Sequence, residues 1–594
     1  MNIESSESES CCVCINEYDN ENHKTISLHT AVNGIDHHIC IFCLFFLKNP
    51  RCPMCNESID LKLLMELHCE DLIPNQVNFD GKTPLIFFCE AKLPKAALQL
   101  IKVFGEKCMP QQVDHNGYTA LMIACMLKLP EVALNLIEVF GETLIPNQVN
   151  NEGNTALMIA CQKNLPEVVL KLIEVFGEKC LPQQVNNQGN TALMIACDNY
   201  KFSEASLKLI EVFGEKCLPQ QVNGKDKTAL MAACESELPE VSLKLIEVFG
   251  EKCLPQQVDN QGNTTLMIAC KRNSPEVVLK LIEVFGENLI PNQVNYYGST
   301  ALIFACEISE LPEVSLKLIE VFGEKCLPQQ VNDSGHTALM VACNTYEFSE
   351  VSLKLIEVFG EKCLPQQVDS GEMHETALII ACRHELPEVS LKLIEVFGEK
   401  CLPQHVNNAG TVLTWACRIN LPEVALKLIE VFGEKCLPQQ VDDEDYTALM
   451  AACESELPEV SLKLIEVFGE KCLPQQIDFR GDTALMIACR KNLPEVALKL
   501  IEVFGENLIP NQVNYEGFTA LIFACASKLP EVSLKLIEVF GENCLPQQVN
   551  DEGHTALIAA TNNNLLEVES KIIELLRKIE VREDESNPAK KAKL

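Results

Sequence analysis

The first 55 residues gather thiols and imidazoles at spacings that suit a metal: Cys11-x2-Cys14, then His37-x2-Cys40-x2-Cys43, then Cys52-Pro-Met-Cys55. Two thiolates three residues apart can meet one tetrahedral Zn2+ without strain, so such pairs point to zinc. A cysteine-rich core is the competing reading of the same residues. No His-Glu-x-x-His segment is present, which argues against a zinc hydrolase. The acidic, serine-rich lead "MNIESSESES" reads as a disordered segment and not as a signal peptide.

The elements that follow carry a different kind of order. Of the 31 cysteines, 23 recur at two fixed positions of an internal repeat, which marks them as small packing residues with reduced thiols. Aligning on the threonine of "TALMIAC" gives fourteen repeats from Thr83 to Thr555, mostly 36 residues apart. In "TALMIACQKNLPEVVLKLIEVFGEKCLPQQVNNQGN" (155–190) a short apolar helix starts at the threonine. A second helix starts at Pro166, where a first-turn proline fits and Glu167 complements the helix dipole. Gly177 ends it, and the Asn- and Gly-containing "VNNQGNT" reads as a turn. No single repeat can bury its apolar face, but stacked neighbours can. Apolar runs are too short for a membrane span. With 84 acidic against 48 basic residues, net −36, the chain disfavours nucleic acid and anionic membranes and favours basic partners.

The pattern V-[N/D]-x-x-G-x-T-A-L-x-x-A-C followed by "LPEVALKLIEVFG" resembles the ankyrin repeat, lengthened by about three residues. The resemblance implies a mainly α fold: an ankyrin-like helix-pair solenoid of about fourteen units over residues 59–580, preceded by a small cross-brace zinc domain (11–58) and an acidic lead (1–10). A disordered tail (581–594) follows, whose "SNPAKKAKL" resembles a short nuclear localisation signal, so an intracellular, cytoplasmic and nuclear protein is expected. Variation between repeats concentrates in the turn tips and just after the first-helix cysteine, the two places that line the partner-binding side in proteins resembling ankyrin arrays. Drift at exposed positions would give the same pattern. Repeats four and eight carry "DNYKFSE" and "NTYEFSE", so Tyr200, Phe202, Tyr346 and Phe348 are candidate partner-binding residues. Alternatively, Ser203 and Ser349 act there as N-caps of the second helix. Trp415 is expected in the core, and the last repeat, with Thr561 in place of cysteine, is expected to be a polar cap.

The N-terminal order Cys-x2-Cys, His-x2-Cys-x2-Cys, Cys-Pro-x-Cys resembles the RING finger. That resemblance implies two Zn2+ ions: Cys11, Cys14, Cys40 and Cys43 on the first, His37, Cys52 and Cys55 on the second. His29 is the candidate for the missing ligand of the second site, and Asp36 paired with His38 is the other. A RING finger recruits a ubiquitin-conjugating enzyme, here through Val13, Phe46 or Leu47, and Pro53. The chain would then be an E3 ubiquitin ligase whose array holds a protein substrate, one with a basic surface. The family's basic residue after the last cysteine is replaced by Asn56. That departure favours the alternative, a non-catalytic adaptor with a structural zinc domain.

Overall fold

The computed structural model describes residues 25–30, 36–40, 43, 72–201, 203–308, 312–407 and 410–586. Two compact bodies divide it, residues 1–293 and 294–594. Among the described residues, the first has a two-stranded antiparallel hairpin (Thr25–Thr30 with Asp36–Cys40) ahead of six helix pairs, and the second has eight pairs.

Repeat three shows why this sequence makes this pair. Thr155, in extended conformation, caps the first helix (Ala156–Gln162) by accepting the Met158 amide at Oγ1, 3.3 Å. All residues from Ala156 to Cys161 are buried. Asn164 then turns left-handed (φ 61°), and the Leu165 amide reaches back to the Ala160 carbonyl at 3.1 Å, which closes the helix end. The second helix (Pro166–Phe176) has proline in its first turn, as expected, and buries Val168, Val169, Leu172, Ile173 and Phe176. Gly177 ends it at φ 49°, ψ −130°, a conformation suited to glycine.

The connection after Gly177 is built, not slack. Gly177–Cys180 forms a 3-10 turn that buries Cys180, whose thiol donates to the Leu172 carbonyl at 3.5 Å. Leu181 follows in the left-handed region (φ 47°), a conformation that recurs at Leu218, Leu254 and seven further repeats. Where the sequence reads "GENLIPNQ", the turn is one residue shorter. There Leu289 is extended and takes the buried place of the cysteine. The lysine of one turn pairs with a glutamate of the preceding turn, as in Lys252–Glu215 and Lys362–Glu324. In "GEN" repeats an asparagine does the same, Asn288 Nδ2 donating to Glu251 at 2.9 Å.

All 23 repeated cysteines are buried, as packing predicts. Burial pushes the Cys125, Cys234 and Cys382 thiols up to about 12. In the last helix pair of the second body, Thr561 stands exposed in place of the framework cysteine, and its hydroxyl donates to the Leu557 carbonyl at 2.9 Å. The last helix (Leu566–Ser586) runs past residue 580, because no glycine stops it. Its face carries Lys571–Glu574 and Lys578–Glu574 pairs, yet Leu566 lies exposed, so the cap is polar only in part. Trp415 is half-buried where a core position was expected, and its indole N–H is buried. No helix among the described residues is long and apolar enough to cross a membrane.

Candidate interaction surface

Each repeat ends in a finger, the turn between the 3-10 connection and the capping threonine of the next repeat. In the finger Asn186–Asn190, Asn186 Oδ1 accepts the amides of Gln188 (3.0 Å) and Asn190 (2.9 Å), which folds the tip on itself. The finger also holds its neighbour: the Asn187 amide donates to the Glu152 carbonyl at 2.9 Å, and Asn186 Nδ2 to Asn154 Oδ1 at 2.8 Å. The relay repeats along each body, for example from Tyr515 to Arg480 and from Asp551 to Glu516, both 3.0 Å. A glycine with positive φ lets adjacent fingers close up. A Cβ on Gly153 would lie 3.1 Å from the Asn186 Cα.

This ladder fixes the backbone and leaves the tip side chains free to vary. Phe79 and, in the second body, Tyr296, Tyr297, Phe479 and Tyr515 stand out from it, Tyr296 being 77% exposed and Tyr515 75%. The signal for them lay in tip sequences such as "NYYGS" and "DFRGD", where an aromatic replaces the usual polar residue. Charge separates the bodies. Six tips of the first carry five acids and three bases, whereas those of the second carry thirteen acids and one base, Arg480.

Some of these acids are held by the loops after the first helices. Arg418 reaches Asp442 (3.1 Å) and Glu444 (2.9 Å). Burial raises the Asp442 carboxyl even so, against the amides of Tyr446 and Glu444 and the Arg418 charge. Arg490 pairs with Glu454 at 2.8 Å. Burial opposes ionisation of Glu454, but Arg490 and Lys491 prevail and hold it below the usual carboxylate range. Tyr446, buried beside Asp478, is pushed up by burial first and by that carboxylate second.

Of the aromatic candidates, Tyr200 and Tyr346 are exposed, at 68% and 76%, and Lys201 lies over the Tyr200 ring at 5.2 Å. Phe202 falls outside the described residues. Phe348 is not a contact residue: it is fully buried, because it takes the core place of the leucine in "LPEV". Nor is Ser349 an N-cap. It is the first residue of its helix, after a 3-10 turn at Tyr346–Phe348, and its hydroxyl donates to the Tyr346 carbonyl at 2.7 Å instead of accepting an amide.

Among the N-terminal candidates, Cys11, Val13, Cys14, Phe46, Leu47, Cys52, Pro53 and Cys55 lie outside the described residues, and so do the side chains of His29, His37 and Cys40. The hairpin backbone places His29 opposite His37, after an irregularity between Ser27 and His29, and Asp36 opposite Thr30. Cys43 is buried.

The family model described as ankyrin repeats, three copies, matches residues 136–217, 205–289, 230–314 and 485–584. Among solved structures, the ankyrin repeat domain of Bcl-3, a member of the IkappaB protein family, is similar at 25% identity. The match covers 38% of this chain and 95% of that one, with a TM-score of 0.29. Among curated proteins, none matches.

Proposed function

From the premise that this chain is an ankyrin-repeat helix-pair solenoid, a protein–protein interaction array, we propose that it is a RING-type E3 ubiquitin ligase that holds its substrate on the fingers. One observation carries the ligase reading: the spacing of six thiols and two imidazoles within 45 residues, Cys11 to Cys55. That donor set fits Zn2+, which prefers thiolate and imidazole in closed tetrahedral sites. Cys11, Cys14, Cys40 and Cys43 would hold one ion, and His29, His37, Cys52 and Cys55 the other. The backbone register that sets His29 opposite His37 supports His29 over Asp36. The metal would supply folding energy to this small domain, with no chemistry of its own. Val13, Phe46, Leu47 and Pro53 would receive the ubiquitin-conjugating enzyme. The acidic fingers of the second body favour a substrate with a basic surface.

Asn56 after the last cysteine supports a second reading, an adaptor in which the zinc domain is structural alone. Autoubiquitination with a panel of conjugating enzymes separates the two. Chains from wild type, lost in Cys52→Ala and Val13→Ala, support the ligase. Silence across the panel, from protein carrying two zinc ions per chain, leaves the adaptor. One zinc per chain would refute the second site and His29 with it.

A further inference from the structure

From finger to finger the second residue donates its amide to the finger before it, as Phe479 does to Glu444 (3.1 Å) and Tyr515 to Arg480 (3.0 Å), so these residues follow one another at a constant offset along the ladder. In the first body they read Phe79, His115, Asn151, Asn187, Gly224 and Asn260, with no acid among them. In the second body an aspartate stands next to every aromatic at that place: Asp333 after Tyr296, Asp443 before Phe479, Asp551 after Tyr515. An exposed ring beside a carboxylate is chemistry for a cation, since the ring face and the acid attract the same charge.

Two of the three pairings lie in four consecutive fingers, 442–446, 478–482, 514–518 and 550–554. The arginines near them are already engaged. Arg418 answers Asp442 and Glu444, and Arg490 lies 3.4 Å from Asp482. Arg480 lies over the Phe479 ring at 5.1 Å, while Tyr446 packs beside the same ring with centroids 6.3 Å apart. Asp445, Glu516 and Asp551 remain, exposed and without an ion pair, together with the Tyr515 ring, 75% exposed. The Arg480–Phe479 contact shows within this chain what such a ring offers a guanidinium.

We propose that these four fingers bind an extended basic segment of the partner protein, one with a lysine or arginine at every third residue. The inference deepens the reading of the fingers as the substrate side and rests on it. Fingers carried by packed helix pairs stand about 10 Å apart. An extended chain advances about 3.3 Å per residue, so one side chain in three meets a finger. Cations at that spacing reach Asp445 at one end and Glu516 and Asp551 at the other, with one of them over the Tyr515 ring. Contiguous cations carry the same charge out of step, because neighbours on an extended chain point to opposite sides. A polyanion is repelled by the same carboxylates.

The test uses the full-length chain and two fluorescent peptides of one composition, the first with arginine at every third position and Gly-Ser between, the second with its arginines contiguous. Anisotropy is followed at constant ionic strength. The expected result is saturable binding of the spaced peptide, about tenfold tighter than its isomer. Tyr515→Leu keeps an apolar side chain without the ring and should weaken the spaced peptide about threefold; Asp551→Asn should weaken it by a similar factor. Tyr346→Leu, at a tyrosine 76% exposed in the same body but away from the fingers, should leave it unchanged. No saturable binding of the spaced peptide, equal affinity for the two peptides, or equal losses from Tyr346→Leu and Tyr515→Leu would overturn the proposal. Autoubiquitination needs no added substrate and is scored on the same preparations. Peptide silence with ubiquitin chains formed removes this inference and leaves the ligase; peptide binding without chains keeps the inference and leaves the adaptor.

Discussion

The finger ladder predicts unequal costs for the same substitution at two glycines. Gly517 and Gly553 sit at the same finger position with nearly the same backbone, φ 82° and 80°. A Cβ on Gly517 would lie 2.8 Å from the Asn550 Cα and 3.1 Å from the Val549 carbonyl oxygen, whereas one on Gly553 meets nothing within 4 Å. The conformational cost of placing alanine at such a φ is about 1 kcal/mol and applies to both. That cost is bearable, since Asp226, His374 and Asp445 occupy the equivalent position with φ between 49° and 61°. Only Gly517→Ala must also push two backbones apart, which adds about 1–3 kcal/mol. Hydrogen exchange at Asp551, whose amide donates to Glu516 across that contact at 3.0 Å, is the direct readout. We expect Gly553→Ala to raise its opening rate by roughly fivefold and Gly517→Ala by a further factor of about ten or more. Equal effects would mean that the fingers do not hold one another and that the ladder plays no part in presenting the tips.

Phe348→Ala should cost about 3–5 kcal/mol in urea unfolding, as loss of a buried aromatic does, while Tyr346→Ala, two residues earlier and exposed, should change stability by less than about 0.5 kcal/mol. The 23 array thiols are buried, and burial pushes up the ionisation of thiols such as Cys125 and Cys161, so they should resist a thiol-reactive disulfide at pH 8 in the folded chain and react together only in denaturant; fast labelling of more than a few native array thiols would contradict the packing. Burial, and then the Arg383 charge, lower the His384 pKa against a weaker pull from Glu375. The unfolded chain therefore binds this proton first, so stability falls as pH drops through the unfolded histidine value, about 6.5. His384→Gln should flatten that part of the stability–pH curve, and an unchanged curve would remove His384 as its cause.

How much of this was legible in the sequence depended on how local the cause was. Thr155, Pro166 and Gly177 act within one turn of themselves, and the helices start and stop where those residues said. The cysteines were legible because recurrence reveals a common environment. What escaped was decided by neighbours in space. Phe348 looked like a surface aromatic until its place was seen to be that of a core leucine. Ser349 looked like a cap, but it takes the first helical position that proline holds in other repeats, with Phe348 before it at the end of a 3-10 turn. The left-handed Leu181 closes the 3-10 turn that buries Cys180, a conformation that the propensity of leucine does not report. The N-terminal site was legible as donor chemistry, because ligand spacing is itself a local signal.

The amide-to-carbonyl relay between fingers has a consequence for how such a chain can change length. Each joint uses the same atoms, so excising one whole repeat, for example residues 484–519, brings together two surfaces already matched to each other. Copy number can drift by gene-level gain or loss without a new joint being invented. The stretch from Thr300 to Thr411 keeps the relay, Asp333 to Tyr297 at 3.0 Å and Ser370 to Ser334 at 2.9 Å, but its repeats differ in length, so an excision there joins repeats of unequal spacing.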